Sequence, residues 1–165
     1  MAAGADATIE SQLDEATEIC VKQDAQMTEL RRLVLRLVLE AGGPTTAYQL
    51  LDRLQKIRKG AVPPTIYRAL DFLMEQGLVH KIERLNAYVP CVDAEHRHHT
   101  AQFLICKACG TAAEIDDHSV SQALERAAAK QGFRTDSAVV ELSGLCAACA
   151  ATAQAAFERP GGGRG

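Results

Sequence analysis

The sequence predicts an α+β fold, in which an N-terminal winged helix-turn-helix domain precedes a small α/β domain with four paired cysteines. Helical periodicity followed by two short strands predicts the first domain. Two Cys-x-x-Cys pairs, Cys106/Cys109 and Cys146/Cys149, mark the second domain. With 165 residues, the chain is expected to form one domain or two small ones.

Four helices are predicted in the first half of the chain from apolar residues at helical spacing. They cover residues 8–23, the stretch from Thr28 to Gly42-Gly43-Pro44, a third helix capped by Thr45 or Thr46, and Pro64–Gln76. The apolar positions of the third helix are Tyr48, Leu50, Leu51 and Leu54. The threonines are N-cap residues, and Pro is tolerated in a first helical turn. A basic loop at residues 56–60 separates the third helix from the fourth.

Two strands follow the fourth helix, which Gly77 ends as a C-terminal cap. They are predicted at Leu78–Ile82 and Ala87–Val89, with a tight turn at Leu85-Asn86. Three helices and this hairpin make a winged helix-turn-helix, in which Pro64–Gln76 is the recognition helix.

A change of composition follows a polar connector, and the second domain begins there. Strands are predicted at Gln102–Cys106, Ala112–Ile115 and Thr135–Leu142, and helices at His118–Gln131 and Ala147–Phe157. The expected boundaries are a winged-helix domain at 1–90, a hinge at 91–100, a dimerisation and metal-binding domain at 101–158, and a disordered tail at 159–165.

Charge and hydropathy restrict the class of protein. The net charge is −3, but residues 28–84 carry ten Lys and Arg against six acids, a weak indication of a polyanionic partner. No run of eighteen apolar residues predicts a membrane span. The acidic N-terminal segment lacks the regions of a signal peptide, so we expect a cytoplasmic protein. In that compartment disulfides are rare, and paired cysteines are more often metal-binding or catalytic.

The two cysteine pairs predict a closed zinc site. Each pair can place two thiolates on one ion, and two pairs complete the tetrahedral sulfur shell of a structural Zn²⁺ site. Such a shell has no open position for a substrate, so the site stabilises a fold and does not itself indicate an activity.

The start of the predicted recognition helix carries side chains suited to DNA. Thr65, Tyr67 and Arg68 lie in its first turn and a half, the part that meets base edges and phosphates in a helix-turn-helix. Arg68 can donate two hydrogen bonds to guanine or pair with phosphate. The alternative is a half-buried tyrosine beside a solvated arginine, and the wing that follows favours DNA.

Four further residues could hold a second metal ion. His80, Cys91, His99 and Glu114 supply two imidazoles, a thiolate and a carboxylate, a set that suits tetrahedral Zn²⁺. They are spread over the wing, the hinge and the second domain, so a shared ion would fix the angle between domains. Taken singly, each has an ordinary alternative as a surface or core residue, and spacing alone does not unite them.

The blocks Pro63-Pro64-Thr-Ile-Tyr-Arg-Ala-Leu-Asp-Phe-Leu, Gln76-Gly77-Leu-Val-His80-Lys and Cys106-x-x-Cys109-Gly110 resemble the ferric-uptake-regulator superfamily, and in particular its zinc-responsive members. The resemblance covers about residues 10–155. It implies a homodimeric repressor of zinc-uptake genes that binds a palindromic, AT-rich operator, with zinc as co-repressor. It also implies one structural and one regulatory Zn²⁺ per monomer.

The resemblance assigns roles to individual residues. The four paired cysteines would hold structural zinc, and the family's sensing ligands fall on His80, Cys91, His99 and Glu114. The DNA-contacting tyrosine and arginine fall on Tyr67 and Arg68, and a basic residue of the second helix falls on Arg31. His96, His98 and His118 are candidates for the family's third site, with a solvated histidine cluster as the alternative.

Other functions are kept as alternatives. An iron- or other metal-responsive regulator of the same superfamily comes first, although the Cys91 thiolate favours zinc over Fe²⁺. A thiol–disulfide enzyme using one Cys-x-x-Cys pair and an interaction module that binds no DNA come next. We expect neither catalysis nor a small-molecule substrate. Cys20 matches no ligand position and is expected to pack in the core.

Overall fold

The computed structural model describes residues 2–91, 100–135 and 138–157. Its first half contains α1 (Ala2–Lys22), α2 (Glu29–Glu40), β1 (Thr45–Thr46), α3 (Ala47–Ile57), α4 (Pro63–Glu75), β2 (Val79–Ile82), a 3₁₀ turn (Glu83–Leu85) and β3 (Ala87–Pro90). Its second half contains β4 (Ala101–Cys106), β5 (Ala112–Ile115), α5 (His118–Lys130), β6 (Val139–Gly144) and α6 (Ala147–Phe157). The α+β fold with a winged helix is confirmed.

The helix boundaries follow the capping residues that the sequence indicated. Thr28 Oγ1 accepts a hydrogen bond from the backbone N–H of Arg31 at 3.4 Å. Of the two threonines before α3, Thr46 is the N-cap, and its backbone N–H donates to the side chain of Gln49. Gly77 adopts a φ of +70° after α4, the left-handed conformation in which glycine ends helices readily.

The first core lies among α1, α2, α3 and α4 and one face of the wing. It contains Leu13, Val34, Val38, Leu50, Leu54, Ile66, Leu70, Leu73, Val79 and Tyr88 among its members. Cys20 is fully buried in this cluster, as expected for a packing residue. Packing in this core holds α4 in place against α1, α2 and α3.

Two details of the first half differ from the sequence-based expectations. β1 pairs with β3 through Thr45–Tyr88 and Thr46–Ala87, which adds a third strand to the predicted hairpin. Two residues are too few to show an alternating pattern. Tyr48, which the sequence placed in the apolar stripe of α3, is 80% exposed. Its neighbours Ala47 and Leu50 are buried in the first core, so other side chains of α3 make the contact with the core.

The second sheet has the order β5-β4-β6, with β5 antiparallel and β6 parallel to β4. β6 begins at Val139, not at Thr135 as predicted, because its ladder starts opposite Ala101, the first residue of β4. Residues 136–137 lie outside the described part, as do residues 92–99 and the predicted tail at 159–165.

A second core joins the wing to this sheet. Ile82 and Val89 of the wing pack with Ala101, Phe103 and Ile105 of β4. The hairpin is therefore apolar on both faces, with one face on the helices and the other on the second sheet. This contact brings the side chains of the two halves of the chain together.

The acidic N-terminal helix neutralises part of the basic segment. Arg32 pairs with Glu10 at 3.0 Å and with Asp14 at 2.7 Å, and Arg36 pairs with Glu10. Ion pairs within the fold therefore neutralise part of the positive charge of residues 28–84. Among the described helices, none has the length and the apolar character required to cross a membrane.

Candidate metal centres and nucleic-acid interface

The four paired cysteines form one cluster. Cys106 ends β4, Cys109 follows in the turn to β5, and Cys146 and Cys149 lie at the start of α6. Their sulfur atoms all lie within 4.8 Å of one another. Cys109 Sγ and Cys146 Sγ are 3.9 Å apart, close to the ~3.8 Å edge of a tetrahedron with metal–sulfur bonds of ~2.3 Å.

Backbone geometry positions the four cysteines. Gly110 has a φ of +74° and its N–H donates to the Cys106 carbonyl at 3.0 Å, which closes the turn between the first two cysteines. The N–H of Cys146 donates to Cys106 Sγ at 3.4 Å. The pairing of β4 with β6 brings the two cysteine pairs together, because its last paired residues are Cys106 and Gly144, two residues before Cys146.

The local electrostatics suit a bound dication. Backbone N–H groups, that of Cys146 first, lower the pKa of Cys106 from 9.0 to about 6. Hydrogen bonds with the neighbouring thiols, Cys146 first, raise the pKa of Cys149 to about 12. Four adjacent thiols cannot all ionise without a compensating charge, and Zn²⁺ is an ion that prefers this sulfur shell.

The second cluster lies at the contact between the wing and the second sheet. His80 Nε2 is 3.8 Å from Glu114 Oε1, and the side chains are 16% and 11% exposed. The ligand atoms of His80, Cys91 and Glu114 all lie within 4.8 Å of one another. An imidazole, a thiolate and a carboxylate are ligands that zinc accepts.

Strand alternation explains why these three side chains meet. His80 pairs with Val89, and Cys91 follows two residues later, so His80, Val89 and Cys91 share the face of the wing that packs on the second sheet. The N–H of Cys91 donates to the Leu78 carbonyl at 3.0 Å, which extends the ladder. Glu114 pairs with Phe103, whose ring meets the His80 ring edge-on at 5.8 Å.

The remaining predicted metal ligands are not joined to this cluster within the described residues. His99, the fourth residue of the proposed sensing set, lies outside them, as do His96 and His98. His118 is exposed in the first turn of α5, beside the N-cap Asp117. The third-site prediction therefore stays a prediction.

The proposed DNA-contacting side chains lie at the exposed N-terminal end of α4. Tyr67 is 49% exposed and Arg68 is exposed, while Ile66, Ala69 and Leu70 between and after them are buried in the first core. Thr65 Oγ1 accepts a hydrogen bond from the backbone N–H of Val62 at 3.5 Å, so the Thr65 side chain helps to order the start of α4.

Arg31 lies near this helix but is engaged within the fold. Its guanidinium stands 3.6 Å over the ring of Phe72, a cation–π contact, and donates to the Gln26 carbonyl at 2.6 Å. These contacts hold the guanidinium in place at the junction of α2 and α4. A role in binding DNA stays a prediction for this residue.

Sequence reasoning missed one polar contact between the two halves of the molecule. Glu141 of β6 accepts hydrogen bonds from the backbone N–H groups of Glu83 and Arg84, at 2.7 and 3.2 Å. Because its partners are backbone groups nearly sixty residues away, no side-chain pattern in the sequence could indicate it.

The first domain is a winged helix, and the second is an α/β domain that contains the four-cysteine cluster. A mixed cluster of metal ligands lies between the two domains. Together these features define a metal-responsive DNA-binding regulator. The family model described as the ferric uptake regulator family matches residues 22–143. The chain belongs to that family, whose members are regulators of transcription.

Individual relatives agree with this assignment. The zinc uptake regulation protein of Escherichia coli K12 is 43% identical over 142 residues, which cover 86% of this chain and 83% of that protein. Its counterpart in Mycobacterium tuberculosis H37Rv is 33% identical over 107 residues, which cover 63% and 78%.

Two solved structures share the fold. A zinc uptake regulator complexed with zinc and DNA superposes with a TM-score of 0.83 at 41% identity, covering 89% of this chain and 98% of that one. A crystal structure of holo XcZur gives 0.77 at 42% identity, covering 86% and 98%.

Proposed function

We propose that the protein is a zinc-responsive transcriptional repressor of zinc-uptake genes, with zinc as co-repressor. The observation that carries the proposal is the meeting of His80, on the wing, and Cys91, directly after the wing's last strand, with Glu114, on the second sheet. The similarity to zinc uptake regulators, one of them complexed with zinc and DNA, supports it.

Cys106, Cys109, Cys146 and Cys149 would hold a structural zinc ion. The four sulfur atoms are near one another, and their shell would leave no open coordination position. These residues join the end of β4 to the start of α6, so they would stabilise the second domain whether or not the regulatory site is filled.

His80, Cys91 and Glu114 would hold the regulatory zinc, with His99 as the fourth ligand. When bound, zinc supplies a link between side chains of the two domains. His80 and Cys91 fix the position of the wing, and Glu114 fixes that of the second sheet, so binding favours one arrangement of the domains. The ligands bind in their deprotonated forms, so the response weakens as pH falls.

DNA would be contacted by Thr65, Tyr67 and Arg68 at the start of α4, with Arg31 supporting the helix or reaching phosphate. In a helix-turn-helix, this end of the recognition helix enters the major groove. Members of this family are dimers, and a symmetric dimer matches a palindromic site. The operator would then be palindromic, and the resemblance to the family implies that it would also be AT-rich.

Several further features belong to the same proposal. The boundaries would be 1–90, 91–100, 101–158 and 159–165 for the winged helix, hinge, dimerisation domain and tail. Each monomer would bind one structural and one regulatory zinc ion, and His96, His98 and His118 would form a weak third site. The protein would act in the cytoplasm, without catalysis.

A binding selection tests the proposal. Protein loaded with zinc is mixed with a random-sequence duplex library, and the affinity for the selected duplex is measured across buffered free zinc. We expect one palindromic sequence to emerge and its affinity to rise with zinc. A protein that selects no sequence, or binds it equally in chelator, is not a zinc-dependent repressor.

A regulator that responds to iron or another metal is the second candidate, since the family model itself is that of ferric uptake regulators. The Cys91 thiolate beside His80 favours zinc, because soft sulfur ligands bind Zn²⁺ better than Fe²⁺. Repeating the titration with Fe²⁺ under anaerobic conditions separates the two: zinc should act at the lower free concentration.

A further inference from the structure

Glu141 joins the second sheet to the turn of the wing, and the proposed zinc chemistry does not use it. Its Oε1 accepts a hydrogen bond from the N–H of Glu83 at 2.7 Å, and its Oε2 accepts one from the N–H of Arg84 at 3.2 Å. Hydrogen bonds to a charged carboxylate are stronger than neutral ones. One side chain thus holds two consecutive amides of the turn.

The place of Glu141 in the sheet makes this contact part of the domain interface. Phe103 pairs with Glu114 of β5 on one side and with Glu141 of β6 on the other. Paired residues on neighbouring strands share a face of the sheet, so both carboxylates stand on the face that carries the wing. Glu114 meets the wing at His80, and Glu141 meets it at the turn.

Apolar packing does not fill the space beside this contact. A cleft of about 550 Å³ lies between the wing and β6, lined by Val79, Lys81 and Val139 together with Glu141 itself. Leu85 of the turn packs against the second core, and at the edge beside the cleft the two hydrogen bonds of Glu141 add a polar attachment.

The two carboxylates differ in what they require. Glu114 belongs to the proposed zinc site, whereas Glu141 binds backbone amides, which are donors at every zinc concentration and whatever side chains positions 83 and 84 carry. The contact made by Glu141 exists only when the wing lies on the second sheet. It favours that arrangement without metal.

We propose that Glu141 is a positioning residue that holds the wing on the second sheet independently of zinc. It thereby lowers the zinc concentration at which the DNA-binding arrangement forms. The proposal rests on the proposed function, since it assumes that zinc and DNA favour the same arrangement. In such an equilibrium, any contact confined to that arrangement reduces the ligand needed to populate it.

Two variants and a matched control test the proposal. Glu141→Ala removes both acceptors, Glu141→Gln keeps one acceptor oxygen, and Glu125→Gln removes a charge from the exposed face of α5. Binding to the selected duplex is measured across buffered free zinc. We expect the zinc midpoint to rise about five- to thirtyfold in the Ala variant and less in the Gln variant, with binding at saturating zinc unchanged.

A second readout does not depend on zinc or DNA. Amide hydrogen exchange of Glu83 and Arg84 is measured in protein whose regulatory zinc site is empty and whose four-cysteine site is filled. Exchange should be faster in Glu141→Ala than in the parent. In Glu125→Gln it should match the parent. If the parent shows no zinc-dependent binding but the exchange difference is present, the proposed function fails and the contact stands.

Two results would overturn the proposal. One is a parent that responds to zinc and a Glu141→Ala variant with the same midpoint and the same exchange rates. The other is a lower affinity at saturating zinc with an unchanged midpoint, because that pattern belongs to a residue acting on DNA and not on the domain arrangement.

Discussion

Glu114 and Glu141 lie in one row across the second sheet, on either side of Phe103, and each contacts a different part of the wing. Glu114 lies 3.8 Å from His80, and Glu141 holds the amides of the turn. One row of a sheet thus fixes the DNA-binding domain at two points, of which one is suited to metal and the other is not.

Removing the thiolate of Cys91 should desensitise the protein to zinc. In Cys91→Ser, we expect the zinc midpoint for duplex binding to rise about tenfold or more, since a ligand is lost from the site. Titration of the duplex with buffered zinc measures it. Cys20→Ala removes a thiol from the helical core without adding a polar group and should leave the midpoint unchanged. A parent-like midpoint in Cys91→Ser would remove Cys91 from the ligand set.

Removing a thiolate of the four-cysteine cluster should act on the fold. Cys106→Ser should lower zinc content by about one ion per chain and weaken the dimer, because the second domain loses its link between β4 and α6. Metal analysis and sedimentation measure both. Normal zinc content in a stable, dimeric Cys106→Ser protein would contradict the structural assignment, and Cys20→Ala again serves as the thiol control.

The recognition helix should lose specific binding when Arg68 is truncated. Arg68→Ala should weaken binding to the selected duplex by about 1–3 kcal/mol if the guanidinium pairs with a base. Arg126→Ala, on the exposed face of α5, is the control. Equal affinities of Arg68→Ala and the parent would leave the winged helix without its proposed contact.

The ion pairs of α1 should stabilise the fold in a pH-dependent way. Hydrogen bonding to Arg36 lowers the pKa of Glu10 below 4.5. A carboxylate with a lowered pKa stabilises the folded state above its ordinary pKa, and that contribution is lost as pH falls below 4.5. Glu10→Gln should lower Tm at neutral pH but not in acid, whereas Glu18→Gln should change neither.

The sequence predicted the elements well wherever a local chemical signal marks them. The hydroxyls of Thr28 and Thr46 accept hydrogen bonds from the first turns of α2 and α3, and Gly77 ends α4 with a positive φ. The four cysteines were assigned together because their spacing alone indicates one ion. Local signals of this kind act within a few residues of the chain.

The rest depends on contacts between distant segments. The register of β4 with β6 decides where the second strand begins and which face Glu141 shares with Phe103. Backbone donors such as the amides of Glu83 and Arg84 leave no trace in the sequence. The meeting of His80, Cys91 and Glu114 was inferred from a resemblance, because each residue by itself has an ordinary alternative.

The count of zinc ions before and after mild chelation tests the central claim most directly, because that claim is that one ion supports the fold and another responds to supply. We expect about two zinc ions per chain in the saturated protein and about one after dialysis against a chelator, with the dimer intact. Loss of both ions together, or a single ion that the chelator does not remove, would contradict the account.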